Sequence, residues 1–245
     1  MTTATTINKE EVEKFSKLAH EWWDLKGNFK PLHQINPSRI KYIRDCAIKN
    51  FELLYDKVNI LENFTLLDIG CGGGLIAEPM TRLGAKVTAI DPSEKNIKTA
   101  KLHAEQMGLV INYVATSAEN LAESNMQFDI VLALEVIEHV DNVAEFIKIC
   151  SKLIKPGGML ILATLNRTIK SYLLAIVGAE YVLRWLEPGT HDWTKFLTPA
   201  EISHYLRTNT LELQDMTGLS LNPLSGTWGL SQDIKVNYMV YATKR

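Results

Sequence analysis

Apolar positions change their period repeatedly along this chain, and the changes mark out its elements. From Ile7 to Leu25, Val12, Phe15, Leu18, Ala19 and Trp22 recur on one side at helical spacing, which predicts an amphipathic helix stopped by Gly27. Phe29 to Pro37, bracketed by Pro31 and Pro37, reads as a loop, and Asn36-Pro37-Ser38-Arg39 opens a second helix running to about Lys57. Beyond it the apolar runs are short and solid. Leu66 to Ile69, Val87 to Ile90, Val110 to Val114, Phe128 to Leu134 and Met159 to Ala163 each predict a strand. Between them Leu75, Ile76, Met80 and Leu83, then Ser93 to Met107, then Val143 to Ile154 predict helices, the last closed by a turn at Lys155-Pro156-Gly157-Gly158. Strand and helix alternate, so the pattern argues an α/β fold with a parallel sheet covered on both faces. Thr198-Pro199-Ala200-Glu201 is a capping box with proline at the first helical position, and Leu211 to Thr217 and Val236 to Ala242 read as the last two strands. The turn-rich Asn222 to Gly226 lies between them.

One stretch departs from this rhythm. Ile169 to Leu186 is predominantly apolar with aromatic residues, has Lys170 and Arg184 near its ends, and is interrupted by Gly178. It is too polar at its edges to span a bilayer. A lid packed on the core is the ordinary reading; a helix lying in a membrane interface, able to take an acceptor that lives in lipid, is the sharper one.

Composition narrows the partners. With 245 residues the chain is long enough to bury a sizeable core, and a net charge of −2 with scattered basic residues offers no footprint for nucleic acid. Cys46, Cys71 and Cys150 are unclustered, which points to a reducing compartment and away from a zinc site. The first twelve residues show neither a secretory nor a transit pattern, so the expectation is a cytoplasmic protein.

Chemistry begins at Leu66-Leu67-Asp68-Ile69-Gly70-Cys71-Gly72-Gly73-Gly74, a strand that ends in an acid and breaks into glycines where a Cβ would collide with a ligand. Gly72 to Ala77 formally satisfies a dinucleotide fingerprint, and Asp91, closing the next strand, is placed to hold ribose hydroxyls. NAD and S-adenosylmethionine both carry that ribose. Asp68 separates them, since a carboxylate there repels a pyrophosphate but suits the cationic amino-acid end of S-adenosylmethionine. Ser117, Ala118 and Glu119 follow the third strand, where an adenine would be met. Arg39, in the first turn after Pro37, has the planar fork that suits a ligand carboxylate, although spacing alone leaves it a solvated residue.

Past the fourth strand, Glu135, Glu138 and His139 are spaced to share one face of a helical turn, at the end of the sheet where doubly wound folds place their sites. Two carboxylates and an imidazole there serve either to coordinate a divalent ion such as Mg2+ or to remove a proton through His139; a capped, solvated helix start is the plain alternative. His191 and Asp192 form the only other attractive pair.

The chain resembles the class I S-adenosylmethionine-dependent methyltransferases through Leu67 to Gly74, Ile90-Asp91 and Lys155 to Gly158. More narrowly it is similar to the ubiquinone-biosynthesis O-methyltransferases through Trp22-Trp23-Asp24, Phe29 to His33, Ile35-Asn36-Pro37 with Arg39, Glu135 to Val140, Thr164 to Arg167, Val177 to Tyr181, Gly189 to Asp192 and Val236 to Met239. The resemblance implies a doubly wound, mostly parallel seven-stranded sheet whose last hairpin includes an antiparallel strand. It divides the chain into an N-terminal helical arm, 1–60, and a methyltransferase domain, 61–245, with a lid insertion at 165–197. It implies O-methylation of ring hydroxyls on polyprenylated catechol and demethylubiquinol intermediates, both such steps of ubiquinone biosynthesis. By the resemblance cofactor contacts fall on Arg39, Gly70, Asp91 and Leu134; the glycine loop itself adds Asp68 and Gly72, and removal of the acceptor proton is assigned to Glu135, Glu138 and His139, directly or through a metal. Some members are described as needing Mg2+, carried by the positions matching those last three. Mitochondrial members bear a transit peptide, so its lack favours a bacterial-type enzyme. The further expectations are a cytoplasmic protein or one peripheral to the inner membrane, with membrane contact through 169–186 as the alternative to a packed lid, and association with other enzymes of the pathway. Two other classes stay open: a NAD-dependent oxidoreductase on the same glycine loop, and a non-catalytic membrane-associated subunit of a quinone-biosynthesis assembly.

Overall fold

The structure is a computed structural model, and it describes residues 6–55, 57–174, 192–222 and 225–245. Its frame is one eight-stranded sheet in the order β3-β2-β1-β4-β5-β8-β6-β7. Strands β1 (Thr65–Ile69), β2 (Lys86–Asp91), β3 (Asn112–Ala115), β4 (Phe128–Leu134) and β5 (Ile154–Leu165) run parallel; β6 (Leu211–Asn222), β7 (Thr227–Ser231) and β8 (Asn237–Lys244) are antiparallel additions beyond β5. Helices α3 (Ala77–Arg82), α4 (Glu94–Gln106), α5 (Ala118–Glu123), α6 (Val143–Leu153) and α8 (Pro199–Thr208) cross over or cover the sheet, with α1 (Lys9–Lys17), α2 (Lys30–Asn50) and the single turn α7 (Ile169–Ser171) outside that alternation. Side chains such as Leu66, Leu67, Ile130 and Val131 point alternately into two separate cores, one on each face, and all four are fully buried. Strands buried on both sides must be apolar throughout, which is why the central ones read as unbroken runs.

The doubly wound class follows the expectation, and four local expectations change. Among the described residues the sheet has eight strands because those beyond Thr217 continue β6 and Thr227–Ser231 pairs back on it, with Leu221 opposite Trp228. The segment from Phe29 to Pro37 is not a loop. Helix α2 runs unbroken from Lys30 through Pro37 to Asn50, with Pro31 in its first turn and no side-chain N-cap. A proline inside a helix loses one hydrogen bond, and here burial of Ile35, Asn36, Arg39, Tyr42 and Ile43 outweighs that local cost. The Lys155 to Gly158 turn lies inside β5 as a bulge, where the register jumps from Phe128–Ile154 to Ile130–Met159 and Gly157 takes φ +75°. The first helix is shorter than its apolar pattern. Asn8 caps α1 through the backbone N–H groups of Glu10 and Glu11, and after Lys17 the chain tightens into a 3-10 turn at Ala19–Glu21.

The amino-terminal residues are stitched to the carboxyl end of the sheet. Thr6 donates its N–H and hydroxyl to Glu119 at 2.5 Å each, Ile7 bridges Val140, and the Asn8 amide donates to Asp141 at 2.8 Å. The arm thus roofs the edge on which β1, β2 and β4 end. Of the stretch from Ile169 to Leu186, residues 175 onward lie outside the described residues, as do 189–191 and therefore His191; Ile169, Tyr172, Leu173 and Leu174 are exposed. Among the described residues no helix is long and apolar enough to cross a membrane.

Candidate functional site

A cavity of about 720 Å³ opens between the carboxyl end of the sheet, the amino-terminal arm and the β6–β7 hairpin. Of the expected site residues, Arg39, Asp68, Gly70, Gly72, Asp91, Leu134, Glu135 and His139 line it; Glu138 stands behind.

At one end Asp68 leaves β1 and the chain turns through Gly70 at φ +69°, Gly72 at φ +52° and Gly74 at φ +90°. L side chains rarely adopt those angles, and a Cβ at Gly70 would lie 2.5 Å from Val136. The loop is tied to the neighbouring strand by the N–H groups of Gly70 and Cys71, both donating to the Ile90 carbonyl, and of Gly72, donating to Asp91 Oδ2 at 3.1 Å. Asp91 also accepts from the Ser93 N–H at 2.8 Å and the Asn96 amide at 3.2 Å. Its carboxylate therefore clamps the glycine loop, where the ribose reading alone would have left it open.

Asp68 is different. It is 3% exposed, and its Oδ2 has no hydrogen-bond partner among the described residues. Burial, with the charge of Asp91 beside it, pushes its carboxyl up to about 7. A buried, under-satisfied acid on a cavity wall calls for a cationic donor. Arg39 is the matching positive group: buried, it donates to Glu135 and, at 3.4 Å, to Asn36, while its Nε has no partner among the described residues. An ammonium for Asp68 and a carboxylate for Arg39 describe an amino acid. That donor set fits the amino-acid end of S-adenosylmethionine, and Ala118 and Glu119, after β3, line the far wall of the cavity.

Trp22 also lines the cavity. Its ring lies on the loop, so close that a Cβ at Gly72 or Gly73 would fall 2.4 Å from it. It stacks on Phe29 at 3.7 Å and donates Nε1 to Asn96 at 3.0 Å. The amphipathic pattern marks it as buried; only the tertiary structure shows that it is buried against glycine backbone.

At the other end Glu135, Glu138 and His139 do not share one helical face. Glu135 ends β4 in a left-handed conformation, φ +56°, and the next residues form a 3-10 turn, Ile137–His139, rather than an α-helical one. The three groups consequently go to three partners. Glu135 pairs with Arg39; Glu138, 3% exposed, accepts from the Thr164 hydroxyl at 3.0 Å; His139 Nδ1 lies 3.1 Å from Glu11 on α1. Burial and the charge of Glu135 push the Glu138 carboxyl up to about 7. Burial works against charging His139, but Glu11, Glu138 and Glu135 outweigh it and raise the imidazole above its ordinary value. In this arrangement the three do not converge as metal ligands, and among the described residues no group of three or more His, Cys, Asp or Glu side chains does. Glu11 carries no local signal, being one of several acids on α1 whose partner is far off in sequence.

Residues 67–162 match a family model described as a methyltransferase domain. Ubiquinone biosynthesis O-methyltransferases from Bradyrhizobium diazoefficiens and Caulobacter vibrioides are 51% and 52% identical to this chain, over 97% and 98% of it and 94% and 95% of their own lengths. Among solved structures, magnesium protoporphyrin IX methyltransferase from Synechocystis PCC 6803 with bound SAH is similar at a TM-score of 0.63 and 20% identity, covering 95% of this chain and 94% of that one. A possible histamine N-methyltransferase from Thermotoga maritima reaches 0.65 at 16% identity, covering 96% of this chain and 100% of that one. Those two likenesses speak for the fold.

Proposed function

From the premise that the chain belongs to the ubiquinone biosynthesis O-methyltransferase family, an S-adenosylmethionine-dependent enzyme of that pathway, we propose that it methylates ring hydroxyls of polyprenylated catechols and demethylubiquinols at the cavity described above. The observation that carries this reading is the continuity of one cavity from the unpaired acid Asp68 to the imidazole of His139, with mainly apolar walls beyond.

When bound, S-adenosylmethionine supplies an electrophilic methyl group. Asp68 and Arg39 hold the amino-acid end, Gly70 and Gly72 let backbone approach, and Asp91 keeps the glycine loop in shape while facing the ribose. Leu134, beside Glu135, forms the wall between cofactor and acceptor. A neutral phenol attacks poorly, so its proton must leave as the bond to carbon forms. His139 lines the cavity and takes that proton in this reading; Glu11 holds the ring through Nδ1 and stabilises the imidazolium that results. Glu138 and Glu135 add negative charge behind it. Arg39, paired with Glu135, joins the two ends.

The Mg2+ that the resemblance brought in would require Glu135 to leave Arg39, while His139 would offer Nε2 and keep Glu11 on Nδ1. Chelator titration with Mg2+ returned tests that exchange: a rate lost and restored would mean a metal, a constant rate the side chains alone. The reading keeps the arm at 1–60 and the lid at 165–197 as parts that complete the site, and membrane contact through 169–186 is tested by flotation with liposomes. Incubation with S-adenosylmethionine and a prenylated catechol, followed by mass spectrometry, tests the activity itself. A product heavier by one methyl is expected; a bound cofactor with no methylated product would overturn the acceptor chemistry.

A further inference from the structure

The acceptor carries a long hydrocarbon tail, and the cavity offers it more than one wall. On the lid side Leu165 and Leu174 are accompanied by Lys170 and Asp233, whose charged groups pair at 2.5 Å. A tail leaving there would press against an ion pair and strip water from it. On the arm side the apolar Ile7, Val12, Phe15 and Leu18 are interrupted by Asn8, Glu11 and Lys14, and Glu11 is committed to His139.

The third wall is apolar. Leu221 stands directly opposite Trp228 across the β6–β7 ladder, and Leu219 shares their face two residues earlier. Facing them on α2 is Ile35, which shares a cluster with Leu219 and Trp228 and lies one turn before Arg39, whereas Leu32 a turn earlier packs with Trp22 and Phe29. The Ser38 hydroxyl donates to the Trp228 carbonyl at 2.8 Å, and the Asn237 side chain accepts the Leu219 N–H at 3.0 Å, so both sides of the groove are pinned. Burial falls along it from Leu219, 4% exposed, to Leu221, 37% exposed, which is the gradient of a path leading out. Its outer wall is built from the strand beyond the expected seven.

We infer that the groove between α2 and the β6–β7 hairpin, lined by Ile35, Leu219, Leu221 and Trp228, holds the polyprenyl tail of the acceptor and sets the preference for tailed over untailed substrates. This rests on the acceptor chemistry proposed above. Apolar contact is non-directional and adds with each buried CH2, so the groove rewards tail length while the ring is oriented elsewhere.

The test compares a catechol bearing several isoprene units with one bearing a single unit. Trp228→Ala is expected to lower kcat/KM for the long-tailed acceptor about tenfold more than for the short one, chiefly through KM, and Leu221→Ser about threefold more. Leu221 is exposed enough for its replacement to leave the fold intact, which covers a failure of the tryptophan variant to fold. Equal losses on both acceptors, or a larger change of ratio in Leu174→Ser on the lid side, would overturn the assignment. Equilibrium binding of the same two catechols reads the ratio without turnover. Absent methyl transfer by the unaltered enzyme would count against the acceptor chemistry, and a binding ratio unmoved by Trp228→Ala against the groove.

Discussion

The two ends of the cavity are built in opposite ways. The cofactor end has a local frame in residues 68–96, a strand, a glycine loop tied by its own N–H groups to the next strand and an acid that clamps the loop, to which Trp22 and Arg39 are added from the arm. The acceptor end draws Glu11 from α1, His139 from a 3-10 turn, Thr164 from β5 and Leu221 from an edge hairpin. Backbone hydrogen bonds fix the first end, and side-chain pairing across long sequence separations fixes the second. A local site tolerates changes elsewhere, whereas one gathered from distant segments depends on each of them.

This contrast predicts that substitutions separate by kinetic parameter. The largest effect is expected from His139→Ala, which should lower kcat by roughly 10²- to 10⁴-fold while calorimetry finds S-adenosylmethionine affinity retained. A parallel loss of affinity would mean that the two ends are not separable. Next is Asp68→Ala, expected to weaken S-adenosylmethionine binding by roughly tenfold to a hundredfold through loss of a charge-assisted contact. Here affinity should fall without a matching loss of kcat at saturation.

Arg39→Ala probes the join. It strands Glu135 in a partly buried place and should lower unfolding free energy by about 3 kcal/mol in a denaturant titration, besides weakening the cofactor. An unchanged midpoint would show that the pair contributes nothing net.

A smaller effect concerns pH. Asp68 is held neutral in the folded chain up to about pH 7, well above the unfolded value of about 3.9, so ionising it opposes folding as pH rises through that interval. A cationic ligand reverses the preference by favouring the carboxylate. S-adenosylmethionine affinity should therefore rise severalfold from pH 6 to pH 8 and level off above, with release of a proton on binding below pH 7. Asp68→Asn should flatten that slope, and a slope unchanged in this variant would place the titrating group elsewhere.

How much of this is legible in the sequence depends on distance along the chain. Asp68, the glycines and Asp91 were readable because strand, loop and acid follow one another within a single βαβ unit whose hydrophobic period is local. The helix through Pro37 was not, since its reason is burial of Ile35 and Tyr42 against the core, which overrides a local breaker. Nor was the eighth strand, because β7 is a half-exposed edge strand with little apolar alternation.

The sequence by itself determined the doubly wound class, the strand that delivers Asp68 and the chemistry of the residues around it, since periodicity and side-chain type are properties of neighbours. Only the tertiary structure decided that Asp91 clamps the loop, that Trp22 lies on its glycines, that Glu135, Glu138 and His139 turn to three partners, and that Glu11 is one of them. Those outcomes rest on which distant groups meet as the two faces of the sheet are buried, and no local pattern encodes such a meeting.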